Sequence, residues 1–174
     1  MVLMFYSRKN IKMIIISILI PAYNEESTII ELLNSVQKEI KLFKEVSFEI
    51  IVIDDCSKDR TNQLLIENGN LYNKLITLKT NLGKGGAVLK GLEESKGNYI
   101  LFQDADLEYS PVDYKVMIQP IIDFDAEVVI GSRFIAPQFT RVHYFWNKIG
   151  NRILTFIFNI MNNTTFSDIY SCYL

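Results

Sequence analysis

Short apolar runs alternate with helical patterns along this chain, and this alternation constrains its fold more than any other feature. β-Branched runs that predict buried strands lie at 14–20, 48–53, 75–78, 99–103 and 127–130. Patterns with the period of one helix face lie between them, at 29–43, 59–65, 87–94 and 111–122. Strands and helices that alternate through short links predict a parallel sheet with helices on both faces.

The composition fits one globular domain and excludes several other classes. The chain has 174 residues, of which 49% are hydrophobic and 22% charged, so it is neither a disordered tail nor a fibrous repeat. The net charge is −2 and there is no basic stripe, so nucleic acid is not an expected partner. Cys56 and Cys172 lack metal-ligand spacing, and two cysteines without a disulfide framework are typical of a reducing cytosol.

The apolar run near the N-terminus admits two interpretations. Basic residues precede the run at 13–22, as they do in a signal peptide. The run is about half the ~20 residues that span a bilayer, and no small-residue cleavage site follows it. Its β-branched composition and closing proline favour a buried parallel strand. We therefore predict an N-terminal extension at 1–12 and a single domain at 13–174.

Three of the predicted strands end in polar residues. These ends are 21–25, 54–57 and 104–106. In an open α/β sheet, ligands bind beyond the carboxyl ends of the strands. The three ends are therefore expected to meet at one edge and to form one site.

The pair Asp104 and Asp106 is the sharpest chemical signal in the sequence. Side chains two positions apart in an extended segment point to the same side. Two carboxylates held together form a hard oxygen site that suits Mg²⁺ or Mn²⁺. The alternative is a helix-capping cluster, because aspartates are common where a strand turns towards a helix.

The other acidic strand ends leave two interpretations open. Asp54 and Asp55 can hydrogen-bond a base or a ribose, or they can cap the helix that follows. Glu25 and Glu26 begin a helix, where negative charge is favourable without any ligand.

Two basic residues lie where an anion would be bound. The glycine-rich segment 81–86 leads into a helix and carries Lys84, a candidate ligand-binding residue; the alternative is a tight turn. This segment lacks the spacing of a P-loop or of a dinucleotide fingerprint. Arg133 follows a predicted strand, where it either binds a phosphate in bidentate fashion or lies on a solvated face.

Five motifs occur in a fixed order, at residues 20–26, 52–57, 81–87, 103–108 and 131–134. In this order they resemble the family-two glycosyltransferases, and among these the polyprenyl-phosphate sugar transferases such as dolichyl-phosphate mannose and glucose synthases. The resemblance extends over about residues 13–173. It implies a GT-A nucleotide-diphospho-sugar transferase fold, with a Rossmann-like, mostly parallel sheet, and a glycosyltransferase catalytic domain at 13–174.

The resemblance also implies roles for individual residues. For the nucleoside, base and ribose it implies Pro21, Tyr23, Glu25, Ile53, Asp54 and Asp55. For a Mg²⁺ or Mn²⁺ ion it implies the motif Asp104, Ala105 and Asp106, with Asp106 as the main ligand. Glu108 is implied to contact the nucleotide or the metal, Arg133 the phosphates, and Asp168 the acceptor side.

The activity implied by the resemblance is an inverting transfer of a sugar from a nucleoside-diphosphate sugar. The expected acceptor is a polyprenyl (dolichyl) phosphate, in cell-envelope or glycan synthesis. The alternative acceptor is a saccharide hydroxyl, with Asp168 as the candidate base. The protein is expected in the cytoplasm, peripherally on the cytoplasmic face of the membrane.

Two rival functions differ in class. A nucleotidyltransferase is disfavoured, because residues 22–25 lack the glycine-rich, arginine-bearing loop that usually follows its first strand. A fragment that binds nucleotide-sugar without turnover remains an alternative. Since relatives continue beyond the position of Leu174, we expect a catalytic domain truncated at its C-terminus.

The C-terminal region carries one more pattern. A stripe with helical spacing consists of Ile149, Ile153, Phe156, Ile157 and Ile160. Such a face is either ordinary core or a surface for anionic membranes or self-association.

Overall fold

The computed structural model describes residues 13–131 and 145–167 of the chain. Its strands are β1 Ile14–Ala22, β2 Val46–Asp54, β3 Lys74–Thr77 and β4 Tyr99–Phe102. Its helices are α1 Ile29–Ile40, α2 Thr61–Glu67, α3 Gly83–Glu94, α4 Tyr114–Phe124 and α5 Phe145–Asn162, with single 3₁₀ turns at Gly69–Leu71 and Pro111–Asp113. The predicted extension at 1–12 lies outside the described residues.

The four described strands form one parallel sheet in the order β3-β2-β1-β4. β1 is central: its Ile18 is in register with Ile50 of β2 on one side and Leu101 of β4 on the other. The chain crosses from β1 outward in one direction to β3 and then returns to place β4 on the other side of β1. This reversal puts the ends of β1, β2 and β4 beside one another.

The two faces of the sheet are covered by different helices. Ile16, Ile18 and Ile20 of β1 are buried in a cluster with α1 and α4. The alternate residue Leu19 faces the other side, in a cluster with Ile53 of β2 and Ala87 of α3. The prediction of a parallel sheet with helices on both faces is confirmed, and residues 14–22 of the N-terminal apolar run form the strand β1.

The predicted fifth strand at 127–130 is wrong for the described structure. After α4, Asp125 adopts a left-handed conformation at φ 52°, and the following residues have no ladder partner. Val128 is 59% exposed. β-Branched residues favour a strand only where a neighbouring strand and a buried face accept them, so the pattern alone was insufficient.

The boundaries of all four predicted helices differ from the predictions by a few residues, and those of α1 and α3 differ in informative ways. α1 ends at Ile40 rather than at Phe43, whose ring instead packs edge-on against Phe48 with the centroids 5.4 Å apart. α3 begins at Gly83, four residues before the predicted start at 87, so most of the glycine-rich segment forms the first turn of a helix. The first N–H groups of a helix have no partner within the helix, and here the N–H of Gly83 is bound by Asn81 Oδ1.

Helix α5 has an exposed apolar stripe in the described structure. Among the side chains of α5 that the structure describes, the buried ones are the polar Asn151 and Thr155, whereas Phe156 is 66% exposed. Ile153, Ile157 and Ile160 are exposed as well. Across residues 13–131 and 145–167, no helix has the length and hydropathy required to cross a bilayer.

Candidate active site

A cleft of about 190 Å³ opens at the carboxyl ends of β1, β2 and β4. It is lined by Pro21, Ala22, Tyr23, Glu25, Asp55, Lys84, Ala87, Asp104, Ala105 and Asp106. Eight of these residues are site candidates from the sequence, now brought together from four separate segments. Ile53, Asp54 and Glu108 are candidates that do not line the cleft.

The loop after β1 is bonded to the loop after β2. Asn24 has a left-handed backbone (φ 57°), and its N–H donates to Ser57 Oγ at 3.0 Å. Its side-chain Oδ1 accepts the N–H of Lys58 at 2.8 Å. The N–H of Glu25 donates to Thr61 Oγ1 at 2.8 Å. Asn24 was not predicted as a site residue, yet its hydrogen bonds fix the backbone of the loop that carries Tyr23 and Glu25.

A second set of bonds braces the same two loops. The N–H of Glu26 donates to Asp59 Oδ2 at 3.1 Å, and the N–H of Arg60 donates to Glu26 Oε2 at 2.9 Å. Desolvation alone would raise the pKa of Asp59, but hydrogen bonds from Thr61 and the Glu26 N–H outweigh it and lower this pKa below its ordinary value. The other oxygen of Asp59 accepts the N–H of Thr61, the first residue of α2, at 2.9 Å, so this carboxylate both caps α2 and bridges to the loop after β1.

Glu25 is held by its own turn. The Thr28 hydroxyl donates to Glu25 Oε2 at 2.7 Å, and the N–H groups of Thr28 and Ile29 donate to the Glu25 carbonyl at 3.1 and 3.0 Å. Its carboxylate thus has a fixed position at the mouth of the cleft.

The adjacent carboxylates at the end of β2 have different partners. Asp54 accepts the N–H of Ser57 at 3.0 Å and the side-chain amide of Asn62 at 2.8 Å, so it stabilises the turn into α2. Asp55 is 3% exposed, lines the cleft and accepts the N–H of Leu82 at 2.7 Å. The side chain of Ile53 is fully buried beneath α3. Of these three candidates, only Asp55 presents its side chain to the cleft.

The glycine-rich segment places the positively charged side chain of Lys84 beside the acidic residues of the cleft. Gly83 has φ +72°, which glycine adopts without strain, and its N–H donates to Asn81 Oδ1 at 3.0 Å. Lys84, in the first turn of α3, has its Nζ 2.6 Å from Asp104 Oδ1. The Asp104 side chain is only 14% exposed and that of Lys84 is 57% exposed, so the pair lies at the rim of the cleft.

The acidic segment after β4 forms a tight loop. Leu107 has a left-handed backbone with φ 62°, and the N–H of Glu108 donates to Asp106 Oδ1 at 3.0 Å. This conformation leaves Asp106 in the cleft lining and turns Glu108 away from it.

The residues of the cleft fit a magnesium or manganese ion that is shared with a ligand. Within the described residues there is no group of three or more His, Cys, Asp or Glu side chains that could hold a metal by itself. Mg²⁺ typically takes one or two carboxylates and completes its shell with substrate phosphates and water. Asp104 and Asp106 supply such a pair of hard oxygen donors in one cleft.

Two candidates from the sequence, Arg133 and Asp168, lie outside the described residues. Their predicted roles at the phosphates and at the acceptor therefore stay predictions.

The parallel sheet, the carboxylates at its strand ends and the glycine-rich start of α3 together define a protein of the GT-A type, as the sequence led us to expect. The chain belongs to glycosyl transferase family 2, and the sequence model of that family matches residues 17–173.

A curated relative and two solved structures give the comparison detail. The UDP-N-acetylglucosamine–dolichyl-phosphate N-acetylglucosaminyltransferase of Methanococcus voltae is 33% identical over 161 residues, covering 82% of this chain and 61% of the relative. Staphylococcus aureus TarS 1-349 in complex with UDP has a TM-score of 0.53 and 35% identity, over 62% of this chain and 32% of that one.

The second solved structure holds both a metal and a nucleotide. It is the Mycobacterium tuberculosis glucosyl-3-phosphoglycerate synthase in complex with Mn²⁺, UDP and glucosyl-3-phosphoglycerate. The TM-score is 0.51 at 27% identity, over 62% of this chain and 39% of that one. This chain thus spans less than two thirds of the length of each of these three proteins.

Proposed function

We propose that this chain is an inverting glycosyltransferase that moves a sugar from a nucleoside diphosphate to a polyprenyl phosphate. The observation that carries the proposal is the cleft, because it gathers four carboxylates and one lysine at the strand ends of a family 2 glycosyltransferase. The cleft is too acidic to attract a diphosphate by itself. A divalent cation bound together with the donor offsets this charge, which favours a nucleotide-sugar bound with its metal.

The proposed division of the cleft follows its segments. Tyr23, Glu25 and Asp55 hold the nucleoside, since they come from the two loops that are braced against each other. Asp104 and Asp106 hold the cation at the diphosphate, and Lys84 contacts the phosphates from the first turn of α3. The cation would stabilise the negative charge that builds up on the leaving diphosphate.

The proposed acceptor is anionic, so the protein does not need a strong base to activate it. A phosphate oxygen is already a nucleophile, so the chain has only to bring it in line with the anomeric carbon and to exclude water. Arg133 and Asp168 are the proposed phosphate-binding and acceptor-side residues. The M. voltae relative, which is named for a dolichyl-phosphate acceptor, supports this choice. A lipid acceptor in turn favours action at the cytoplasmic face of a membrane.

A transfer assay tests the proposal. The protein is incubated with detergent-solubilised polyprenyl phosphate, Mn²⁺ and radiolabelled UDP-N-acetylglucosamine, UDP-glucose or GDP-mannose. We expect label from one donor to become extractable into organic solvent, and we expect Asp106→Asn to abolish this transfer. Asp113→Asn, which neutralises an exposed aspartate outside the cleft, is the matched control.

Each alternative predicts a different result when a saccharide, a calorimetric titration or a nucleoside triphosphate is added to this experiment. Label that moves only to an added saccharide would identify a hydroxyl acceptor. Donor that binds in calorimetry but transfers to nothing would identify a nucleotide-sugar-binding protein without turnover. Release of pyrophosphate from a nucleoside triphosphate would identify a nucleotidyltransferase.

A further inference from the structure

A buried glutamine underlies the acidic loop of the cleft. Gln103 follows β4 directly, is 0% exposed, and its own N–H continues the sheet by donating to the carbonyl of Leu19 at 3.0 Å. Its side-chain Nε2 donates to the carbonyl of Asp104 at 2.9 Å and to the carbonyl of Tyr109 at 3.1 Å. One amide group therefore joins both ends of the loop 104–109.

The orientation of this amide is fixed from α4. The hydroxyl of Tyr114, the first residue of α4, donates to Gln103 Oε1 at 2.8 Å. Tyr114 is fully buried, and its neighbours on the same helix face, Met117 and Ile118, belong to the main core cluster. Because the hydroxyl occupies the oxygen end, the nitrogen end of the amide faces the two carbonyls.

The loop that is joined in this way is short and tightly turned. It includes Leu107 in a left-handed conformation, which a residue with a branched side chain seldom adopts. Such a conformation persists where the surrounding bonds over-determine it. The bonds that hold this loop include those of Gln103 at its two ends and the Asp106–Glu108 bond inside it.

We propose that Gln103 is a positioning residue: its amide, oriented by Tyr114, holds the loop 104–109 so that Asp104 and Asp106 share one cleft. The inference rests on the proposed function where it assigns those carboxylates to the diphosphate and its cation. Gln103 does not line the cleft, so it acts through the loop and not on the ligand.

Three variants test this inference. Gln103→Met keeps the length of the side chain but removes the amide. Tyr114→Phe keeps the ring but removes the hydroxyl that orients the amide. Tyr72→Phe is the matched control, because the Tyr72 hydroxyl also donates one bond, at 2.7 Å to the carbonyl of Leu65, away from the cleft.

The first measurement is hydrogen exchange of the 104–109 amides in the ligand-free protein. We expect faster exchange in Gln103→Met and in Tyr114→Phe, and parent-like exchange in Tyr72→Phe. The second is calorimetry with Mn²⁺ and UDP or GDP, whichever the parent binds. We expect the affinity to fall about 10-fold or more in Gln103→Met and about 3-fold in Tyr114→Phe, the effect of losing oriented hydrogen bonds.

A third measurement separates positioning from general damage. The matching nucleoside without phosphates should bind all four proteins equally, since the loops after β1 and β2 are unchanged. Loop exchange and diphosphate affinity that equal the parent's in both Gln103→Met and Tyr114→Phe would overturn the inference. If Gln103→Met does not fold, Tyr114→Phe decides. A parent that binds neither UDP nor GDP contradicts the proposed function instead, and loop exchange still decides whether Gln103 holds the loop.

Discussion

The adjacent aspartates Asp54 and Asp55 have different roles, and these roles follow from their different hydrogen-bond partners. Asp54 is occupied by Ser57 and Asn62 of the turn into α2, whereas Asp55 lines the cleft and accepts one N–H from the glycine-rich segment. The sequence predicts that an acidic pair ends this strand. It does not divide the tasks, because both residues offer the same acceptor chemistry and only the three-dimensional arrangement separates them.

In the proposed function, binding of the metal ion depends on the charge of Asp106. Asp106→Asn keeps an oxygen that can accept the N–H of Glu108 but replaces the charged ligand with a neutral amide, a poor partner for Mg²⁺ or Mn²⁺. We expect the fold to remain intact and metal-dependent binding of UDP or GDP to be lost. Calorimetry with and without Mn²⁺ measures this. Parent-like affinity of the variant in the presence of Mn²⁺ would refute the assignment.

Because Lys84 pairs with Asp104, we expect removal of the lysine to strengthen the binding of a metal ion in the absence of nucleotide, whereas removal of the Asp106 charge weakens it. With Nζ at 2.6 Å from Oδ1, the ammonium occupies an oxygen that a cation would use. Lys84→Met should therefore bind Mn²⁺ more tightly than the parent when no nucleotide is present, and bind UDP or GDP more weakly. Electron paramagnetic resonance of free Mn²⁺ measures the first effect, and calorimetry the second.

Lys90 provides the matched control for that comparison. It lies on the same helix and pairs with Glu93 at 2.7 Å, outside the cleft. Lys90→Met should leave both affinities unchanged. If Lys84→Met and Lys90→Met give the same Mn²⁺ affinity as the parent, the ammonium does not compete for Asp104.

At the scale of elements, the sequence correctly predicted the four strands that pair with a neighbouring strand. It wrongly predicted a strand at 127–130, where no neighbouring strand is present in the described residues. The runs that became β1, β2, β3 and β4 each continue a ladder, so their apolar composition had a physical cause. The run at 127–130 has the same composition without a partner strand. The cross-loop bonds of Asn24 and Asp59 also lay beyond sequence reasoning, since they join residues more than 30 positions apart.

The brace between the first two loops should depend on pH. Its carboxylate, Asp59, has a lowered pKa in the folded state, so it adds stability above its unfolded pKa, near about 4, and loses it as the pH falls through the lower folded pKa. Asp59→Asn should therefore be less stable than the parent at neutral pH, and the difference should shrink towards pH 3. Urea unfolding at several pH values measures it, and a difference that is constant with pH contradicts the bridging role.

Helix α5 offers a direct test of its exposed stripe. Because Phe156 is 66% exposed, Phe156→Glu should change the free energy of unfolding by no more than about 0.5 kcal/mol. Leu33→Ala, at a fully buried position of α1, should cost about 2–5 kcal/mol in the same urea titration. A Phe156→Glu variant that fails to fold would show instead that the stripe is core.

At the scale of the whole molecule, the cleft lies between two parts of the structure that are held together by different interactions. The part proposed to bind the nucleoside consists of loops after β1 and β2 that are braced to each other by at least four bonds. The part proposed to bind the diphosphate consists of the start of α3 and the loop after β4, which are joined by the ion pair of Lys84 and Asp104. The bond from Leu82 to Asp55 connects the two parts. The two parts therefore need not respond to a ligand in the same way.

This construction predicts how ligands stabilise the molecule as a whole. A ligand that binds only the folded state at about 100 times its Kd adds about 2.7 kcal/mol, which raises the Tm of a domain this size by about 5–10 °C. For the nucleoside diphosphate that binds, we expect this shift with Mn²⁺ and its near absence with EDTA, because the acidic side repels uncompensated phosphates. The matching nucleoside should give the same small shift under both conditions. Differential scanning calorimetry measures all four cases, and a diphosphate shift that survives EDTA would mean that Lys84 and the α3 N-terminus suffice to bind the phosphates without a metal.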